Sequence, residues 1–262
     1  MIHVYFKDSS NMNDIDDETV QLAHVEAGNV AFNINDMAIR DISNELAEEL
    51  RTIPEHVIFN EVHPLVVWTG MEKPIREVIR ILKPEGFLVA PVGSLLYGDY
   101  CLSNIANHFR GLRTIYPYVV ANMILDHTDL NLLMDLHVIY NEPQQYSRTI
   151  HLSNYVEHFF VFSKNKYPKL EMVNALHVSA RETFDKIFNY CTHEDALRYT
   201  INKFTKEGDW VLDPFAGSGT VGKVSGKLGR NCFLYEAMKD FYLIIQKRLE
   251  GLEVEYHCLE EK

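Results

Sequence analysis

The feature that most constrains this chain is the octapeptide Asp213-Pro214-Phe215-Ala216-Gly217-Ser218-Gly219-Thr220, set between an apolar strand-type segment at Trp210 to Leu212 and a helical segment at Val221 to Leu228. In an open α/β sheet, ligands sit at the carboxyl ends of the strands, and paired glycines let backbone approach them without a Cβ in the way. Helix N–H groups just beyond such a loop can receive a carboxylate. The next strand, Cys232 to Tyr235, ends at Glu236. From there a carboxylate can accept hydrogen bonds from both ribose hydroxyls of a nucleoside. A lone Gly-x-Gly is as readily a tight turn, but here the strand-loop-helix context and the acid ending the next strand favour a ligand. The loop lacks the Gly-Lys-Ser/Thr that a triphosphate-binding loop needs.

Alternating elements fill most of the chain. Ile2 to Phe6 and Val20 to Val25 read as strands, Ile42 to Leu50 and Lys73 to Leu82 as helices, the second stopped by Lys83-Pro84-Glu85-Gly86. Phe87 to Val92 is a buried-type strand and Ile105 to Phe109 part of a helix. Strands are expected near Tyr118 to Ala121, Leu136 to Tyr140 and Glu157 to Ser163. Thr192 caps a helix that carries Asp195 in its first turn and runs to about Phe204, and Phe241 to Leu249 closes the series as another helix. The βαβα order predicts an α/β fold with a mostly parallel sheet and helices on both faces. Without repeats, low-complexity tracts or long linkers, residues 1–262 read as one domain, with an acceptor half over about 1–165 and a cofactor half over about 190–250.

Charge bears on partners. Lys and Arg number 25 against 37 Asp and Glu, a formal net charge of -12, and nucleic-acid affinity rests largely on cations neutralising phosphates, so this balance disfavours nucleic acid. No basic apolar leader and no apolar run near the ~20 residues of a membrane helix is present, so a soluble, cytoplasmic protein with no membrane partner is expected. Cys101, Cys191, Cys232 and Cys258 are far apart and form no Cys-x-x-Cys pair, which fits reduced thiols. The twelve histidines lack the helical spacing of metal-ligand pairs, so no metal is expected.

The octapeptide resembles the S-adenosylmethionine (SAM) motif of the amino-methyltransferases that modify adenine N6 or cytosine N4 in DNA. Because it lies near the C-terminus, the chain resembles the permuted group in which catalytic segments precede cofactor-binding ones. The resemblance extends through Ile2 to Ser9, Asp17 to Ala23, Val78 to Gly86 and Glu157 to Lys164. It implies a Rossmann-like SAM-dependent methyltransferase sheet with circularly permuted motif order. It also implies SAM as cofactor, bound by residues 213–220 and Glu236, with Asp8 beside its adenine. At the catalytic position the family has an acid, Asn or Ser, two prolines and an aromatic ring. Here Glu26-Ala27-Gly28-Asn29 stands instead. Glu26 can accept a hydrogen bond from an amine and Asn29 can offer an amide, which makes them the candidate catalytic pair; Phe32 and Tyr97 are candidate rings for the acceptor pocket.

Three functions are weighed on this basis. The first is a SAM-dependent methyltransferase whose acceptor is a small molecule or a protein and not duplex DNA, which would reconcile an intact cofactor loop with a remodelled acceptor site on an acidic chain. The second is DNA or RNA adenine-N6 or cytosine-N4 methylation through the atypical motif. The third is a SAM-binding pseudoenzyme, acting as a sensor or as the partner subunit of an active enzyme, a reading that a homodimer would favour.

Overall fold

The computed structural model describes residues 1–26, 64–93, 112–140, 144–145, 151–152, 155–169, 171–178 and 194–258. The expected helices at 42–50 and 105–109, and the candidates Asn29, Phe32 and Tyr97, lie outside these residues.

The strands are β1 (Ile2–Phe6), β2 (Val20–His24), β3 (Leu82–Gly93), β4 (Asn131–Tyr140), β5 (Gln144–Gln145), β6 (His151–Leu152), β7 (Tyr155–Ser163), β8 (Ala175–Val178), β9 (Trp210–Asp213), β10 (Asn231–Tyr235) and β11 (Val254–Cys258). The α-helices are α1 (Pro64–Ile81), α2 (Leu112–His127), α3 (Glu194–Phe204), α4 (Thr220–Lys227) and α5 (Tyr242–Arg248), and a single 3-10 turn at Lys239–Phe241 leads into α5.

Nine strands form one sheet in the order β11-β1-β10-β9-β2-β3-β7-β4-β8, while β5 and β6 pair separately. The pairings of β3 and β4 with β7 are antiparallel; the others within the sheet are parallel. Alternation along each strand sends side chains to opposite faces, and two cores result. Leu88, Ala90, Phe160, Phe162, Leu212 and Phe233 share a core with Ile75 and Val78 of α1 and Val120, Ala121 and Ile124 of α2. Val89, Phe159, Val161, Val211 and Leu234 share the other with Ala196, Leu197 and Ile201 of α3, Val221 and Val224 of α4, and Ile245 of α5. This is the mostly parallel, Rossmann-like sheet covered on both faces that the sequence predicts.

Chain order and spatial order differ as a permuted fold requires. β9, near the end of the chain, sits mid-sheet between β10 and β2. β1, at the start, sits between β10 and β11. From β9 the chain passes through α4 to β10 on one side, whereas β2 has β3 on the other. The strand order therefore switches between β9 and β2, and the carboxyl ends of the strands at such a switch point are the usual ligand position in sheets of this kind.

Two local expectations are corrected. The strand expected near Tyr118 to Ala121 lies inside α2. Its β-branched and aromatic run is also a buried helical face, because Val120, Ala121 and Ile124 turn to one core, and a short apolar run does not separate the two by periodicity. The Lys83 to Gly86 stop is absorbed into β3 as an irregularity, since Leu82 pairs with Val20 but Phe87 with Leu22. Gly86 permits this fold-back, because a Cβ there would lie 2.7 Å from Leu82 Cγ. Among the described residues no helix is long and apolar enough to cross a membrane.

Candidate functional site

Asp213 ends β9 and turns the chain into the loop. Its Oδ1 accepts a hydrogen bond from Phe215 N at 3.0 Å, a local turn of the type short acidic side chains make with backbone two residues on. Ala216 N donates to Tyr235 O at 2.9 Å and Gly219 N to Ala216 O at 2.7 Å, tying the loop to the end of β10 and closing it before α4. Gly217 has φ 51° and Gly219 φ 80°. Packing does not demand glycine there, since an added Cβ would come no closer than 3.8 Å at Gly217 and 3.5 Å at Gly219. The left-handed backbone does. Pro214, Ala216, Ser218 and Thr220 are buried, and Phe215 is half-buried against the α1/α2 core.

Glu236 locks the far side of the loop. One carboxylate oxygen accepts from Gly217 N at 2.8 Å and the other from Met238 N at 2.7 Å, while Glu236 N donates to Tyr5 O at 3.0 Å. A carboxylate offers about four lone-pair positions, so these contacts do not exhaust it. Burial pushes the Glu236 carboxyl up, opposed by the backbone N–H groups of Met238, Gly217 and Ala237. Asp213 is raised more strongly, well above the ordinary carboxylate value, by burial first and then by the nearby charges of Glu26 and Glu236, with the Phe215 N–H opposing. Glu26, half-buried just beyond β2, thus faces the same crevice as Asp213 and Glu236. Three acids around one glycine loop suit a ligand that carries hydroxyls and positive charge.

Asp8 follows β1, which is paired with β10, and so emerges beside the end of the Glu236 strand. Its side chain is exposed and accepts a hydrogen bond from Ser10 N at 2.6 Å. Asp8 thus reaches the same edge of the crevice without a hydrogen bond to the loop.

Sequence reasoning missed two groups nearby. Arg248, buried in α5, donates to Thr220 Oγ1 at 2.7 Å, and Thr220 Oγ1 lies 3.2 Å from Ser218 Oγ. The first residue of α4 is thereby tied to the helix after the next strand. His24, the last residue of β2, is 1% exposed, and its Nε2 has no hydrogen-bond partner. Burial drives its pKa down to about 3, so a neutral imidazole sits beneath Glu26. For Arg248 the basic last turn of an amphipathic helix carried no signal of a site. For His24 a mostly apolar strand read as core.

Residues 66–247 match the family model of the N6/N4 methyltransferases described as DNA methylase. The type II methyltransferase M2.DpnII of Streptococcus pneumoniae is 54% identical over 58 residues, 22% of this chain and 22% of that protein's length. The type II methyltransferase M.MjaI of Methanocaldococcus jannaschii is 23% identical over 94% of this chain and 90% of its own. Two solved structures share the fold: TTHA0409 of Thermus thermophilus complexed with SAM, with TM-score 0.62 and 15% identity over 98% of this chain and 100% of that one, and the cytosine-N4-specific PvuII DNA methyltransferase, with TM-score 0.64 and 17% identity over 95% and 87%. With the match running from α1 through the glycine loop into α5, more than half its length, this chain belongs to the N6/N4 DNA methylase family.

Proposed function

We propose that this chain transfers the methyl group of SAM to an exocyclic amino nitrogen, adenine N6 or cytosine N4, in DNA. The observation that carries the reading is the lock between the glycine loop and Glu236, which fixes a carboxylate at the crevice with lone pairs left over. The residues present fit SAM. Gly217 and Gly219 carry no side chain at the turn of the loop, we assign Glu236 to the ribose hydroxyls and Asp8 to the adenine side, and the acids around the loop complement a sulfonium charge. SAM would supply an electrophilic methyl on a good leaving group. The chain's own task is then to hold the acceptor nitrogen in line with that methyl, which is worth several kcal/mol of barrier, and to take up the proton released as nitrogen forms its new bond to carbon and the carbon–sulfur bond breaks. Glu26 is the group we assign to accept from the amine, with Asn29 beside it in sequence offering an amide.

The expectation that the acceptor is not duplex DNA finds no support in the family model, described as DNA methylase, or in the structural likeness to the cytosine-N4-specific PvuII DNA methyltransferase. It rested on net charge, which averages over the molecule and does not describe the face that meets a base. A second reading, a SAM-binding partner subunit, is favoured by one observation: Glu26-Ala27-Gly28-Asn29 lacks the prolines and ring of the family pattern. One experiment separates the two. Calorimetric titration with SAM, followed by transfer of labelled methyl to unmethylated DNA, is expected to show binding that Glu236→Ala abolishes, and DNA labelling that Glu26→Gln cuts at least about tenfold without loss of binding. SAM binding without labelling of any DNA would favour the partner subunit; absence of SAM binding would sink both.

A further inference from the structure

We propose that Asp135, His137 and His158 form a binding site for a divalent transition-metal ion of the zinc class, separate from the methyl-transfer crevice. The site is written into the strand register. Asp135 and His137 stand two apart on β4 and so share a face, and His158 of β7 is the direct antiparallel partner of His137. Directly paired side chains begin only about 5 Å apart at Cβ. The donor atoms converge: Asp135 Oδ2 lies 3.1 Å from His137 Nε2 and 3.0 Å from His158 Nδ1, and all three donors fall within 4.8 Å of one another. Zinc bonds of about 2.0–2.1 Å to nitrogen and oxygen in tetrahedral array put donors roughly 3.3 Å apart, close to the two carboxylate–imidazole separations here, with the two imidazole nitrogens within 4.8 Å of each other.

Two nitrogens and one carboxylate oxygen are the donor set of an open zinc site, in which water takes the fourth position. The access is there, since the side chains of His137, Asp135 and His158 are 44%, 21% and 15% exposed. The surroundings hold the ligands in place. Tyr118 OH donates to Asp135 Oδ2 at 3.3 Å and its ring meets His158 edge-on at 5.4 Å, while His158 stacks on buried Phe160 at 5.7 Å. Both imidazoles hydrogen-bond the carboxylate when no ion is present, and an ion exchanges those contacts for coordination as the facing nitrogens lose their protons. The two strands between β7 and β9 put the site roughly 14 Å across the sheet from the glycine-loop strand. A second constellation, His3, Glu255 and His257, uses the opposite edge of the sheet, but its carboxylate is 56% exposed and less restrained. It serves as an internal control.

The test is titration of chelator-treated full chain with zinc chloride against a chromophoric competitor, with cobalt(II) absorption as a report of ligand type. Wild type and His257→Ala are expected to take up one tight equivalent, with His158→Ala and the near-isosteric Asp135→Asn weakened at least about 100-fold while their metal-free melting temperatures stay near wild type. Asp135→Asn decides the matter if His158→Ala fails to fold. Absence of a stoichiometric site in wild type, or a site lost in His257→Ala but kept in Asp135→Asn, overturns the proposal.

Discussion

Asp213 carries a cost in the ligand-free protein that its function would explain. The carboxyl is buried, and burial together with the charges of Glu26 and Glu236 raises its pKa well above the ordinary value. For an acid raised on folding, the associated stability is complete below the unfolded value of about 3.9 and is lost as pH rises through the folded value. Asp213→Asn keeps an oxygen for Phe215 N and removes the charge. The ligand-free variant is therefore expected to melt above wild type at pH 8, with the difference shrinking towards zero as pH falls to about 4. Its SAM affinity is expected to fall at least about tenfold, roughly 1.4 kcal/mol, because a cationic ligand loses its counter-charge. Thermal melts across that pH range with and without SAM check both parts, and a difference independent of pH would remove the electrostatic explanation. Glu236 was legible from sequence as the acid ending a strand. What was not legible is that its carboxylate also braces the loop through Gly217 N, since that depends on the loop closing back on β10. His24 was invisible for the opposite reason: a single polar residue at the end of a buried strand gives no pattern to read.

At the scale of elements, α4 shows how closely the cofactor loop is seated. Gly222 and Gly226 leave no room for side chains: a Cβ at Gly222 would stand 2.6 Å from Leu234 Cδ1 and 3.4 Å from Leu249 Cδ2, and one at Gly226 3.0 Å from Ile2 Cδ1. Leu234 is fully buried and cannot swing away. Gly222→Ala would gain about 1 kcal/mol of helix propensity but meet an overpacking cost of about 1–3 kcal/mol. The expected net result is a protein less stable by about 1 kcal/mol, read as a lower denaturation midpoint with unchanged slope; a stabilised variant would show that α4 can lift off β10. Elements whose burial pattern matches their period, such as β1, β9, β10 and α3, were readable from sequence to within a residue or two. The misread segment in α2 and the unforeseen β8 and β11 share a cause, which is that their state depends on a partner. Val254 to Cys258 alternates polar and apolar residues too briefly to be read as a strand until β1 supplies its hydrogen bonds.

At the scale of the whole molecule, the permuted order places the first strand among the last ones, with the Met1 amino group donating to Asn231 Oδ1 at 3.1 Å and Ile2 N to Glu253 O at 2.9 Å. The order was legible because the glycine loop comes late in the chain, and the sheet shows its consequence, that β9 from the end of the chain pairs with β2 from its beginning. Charge is the other global property, and it acts on DNA through the cations left over for phosphates. Some of those described are engaged within the protein: Lys7 with Asp14, Arg76 with Glu72, Arg80 with Glu77 and Asp17, Lys83 with Asp209, and Lys223 with Glu194, while Arg248 is buried. Each phosphate neutralised contributes about -0.9 to the slope of log affinity against log salt on duplex DNA. With a net charge of -12, the expected slope is no steeper than about -3, corresponding to roughly three phosphates. Fluorescence anisotropy on a duplex from low to physiological salt measures it. A slope of about -6 or steeper would mean that the chain gathers a basic face despite its acidic average; a shallow one would mean that recognition rests on the base drawn into the crevice, where the acids around Asp213 accept an amine rather than repel a phosphate.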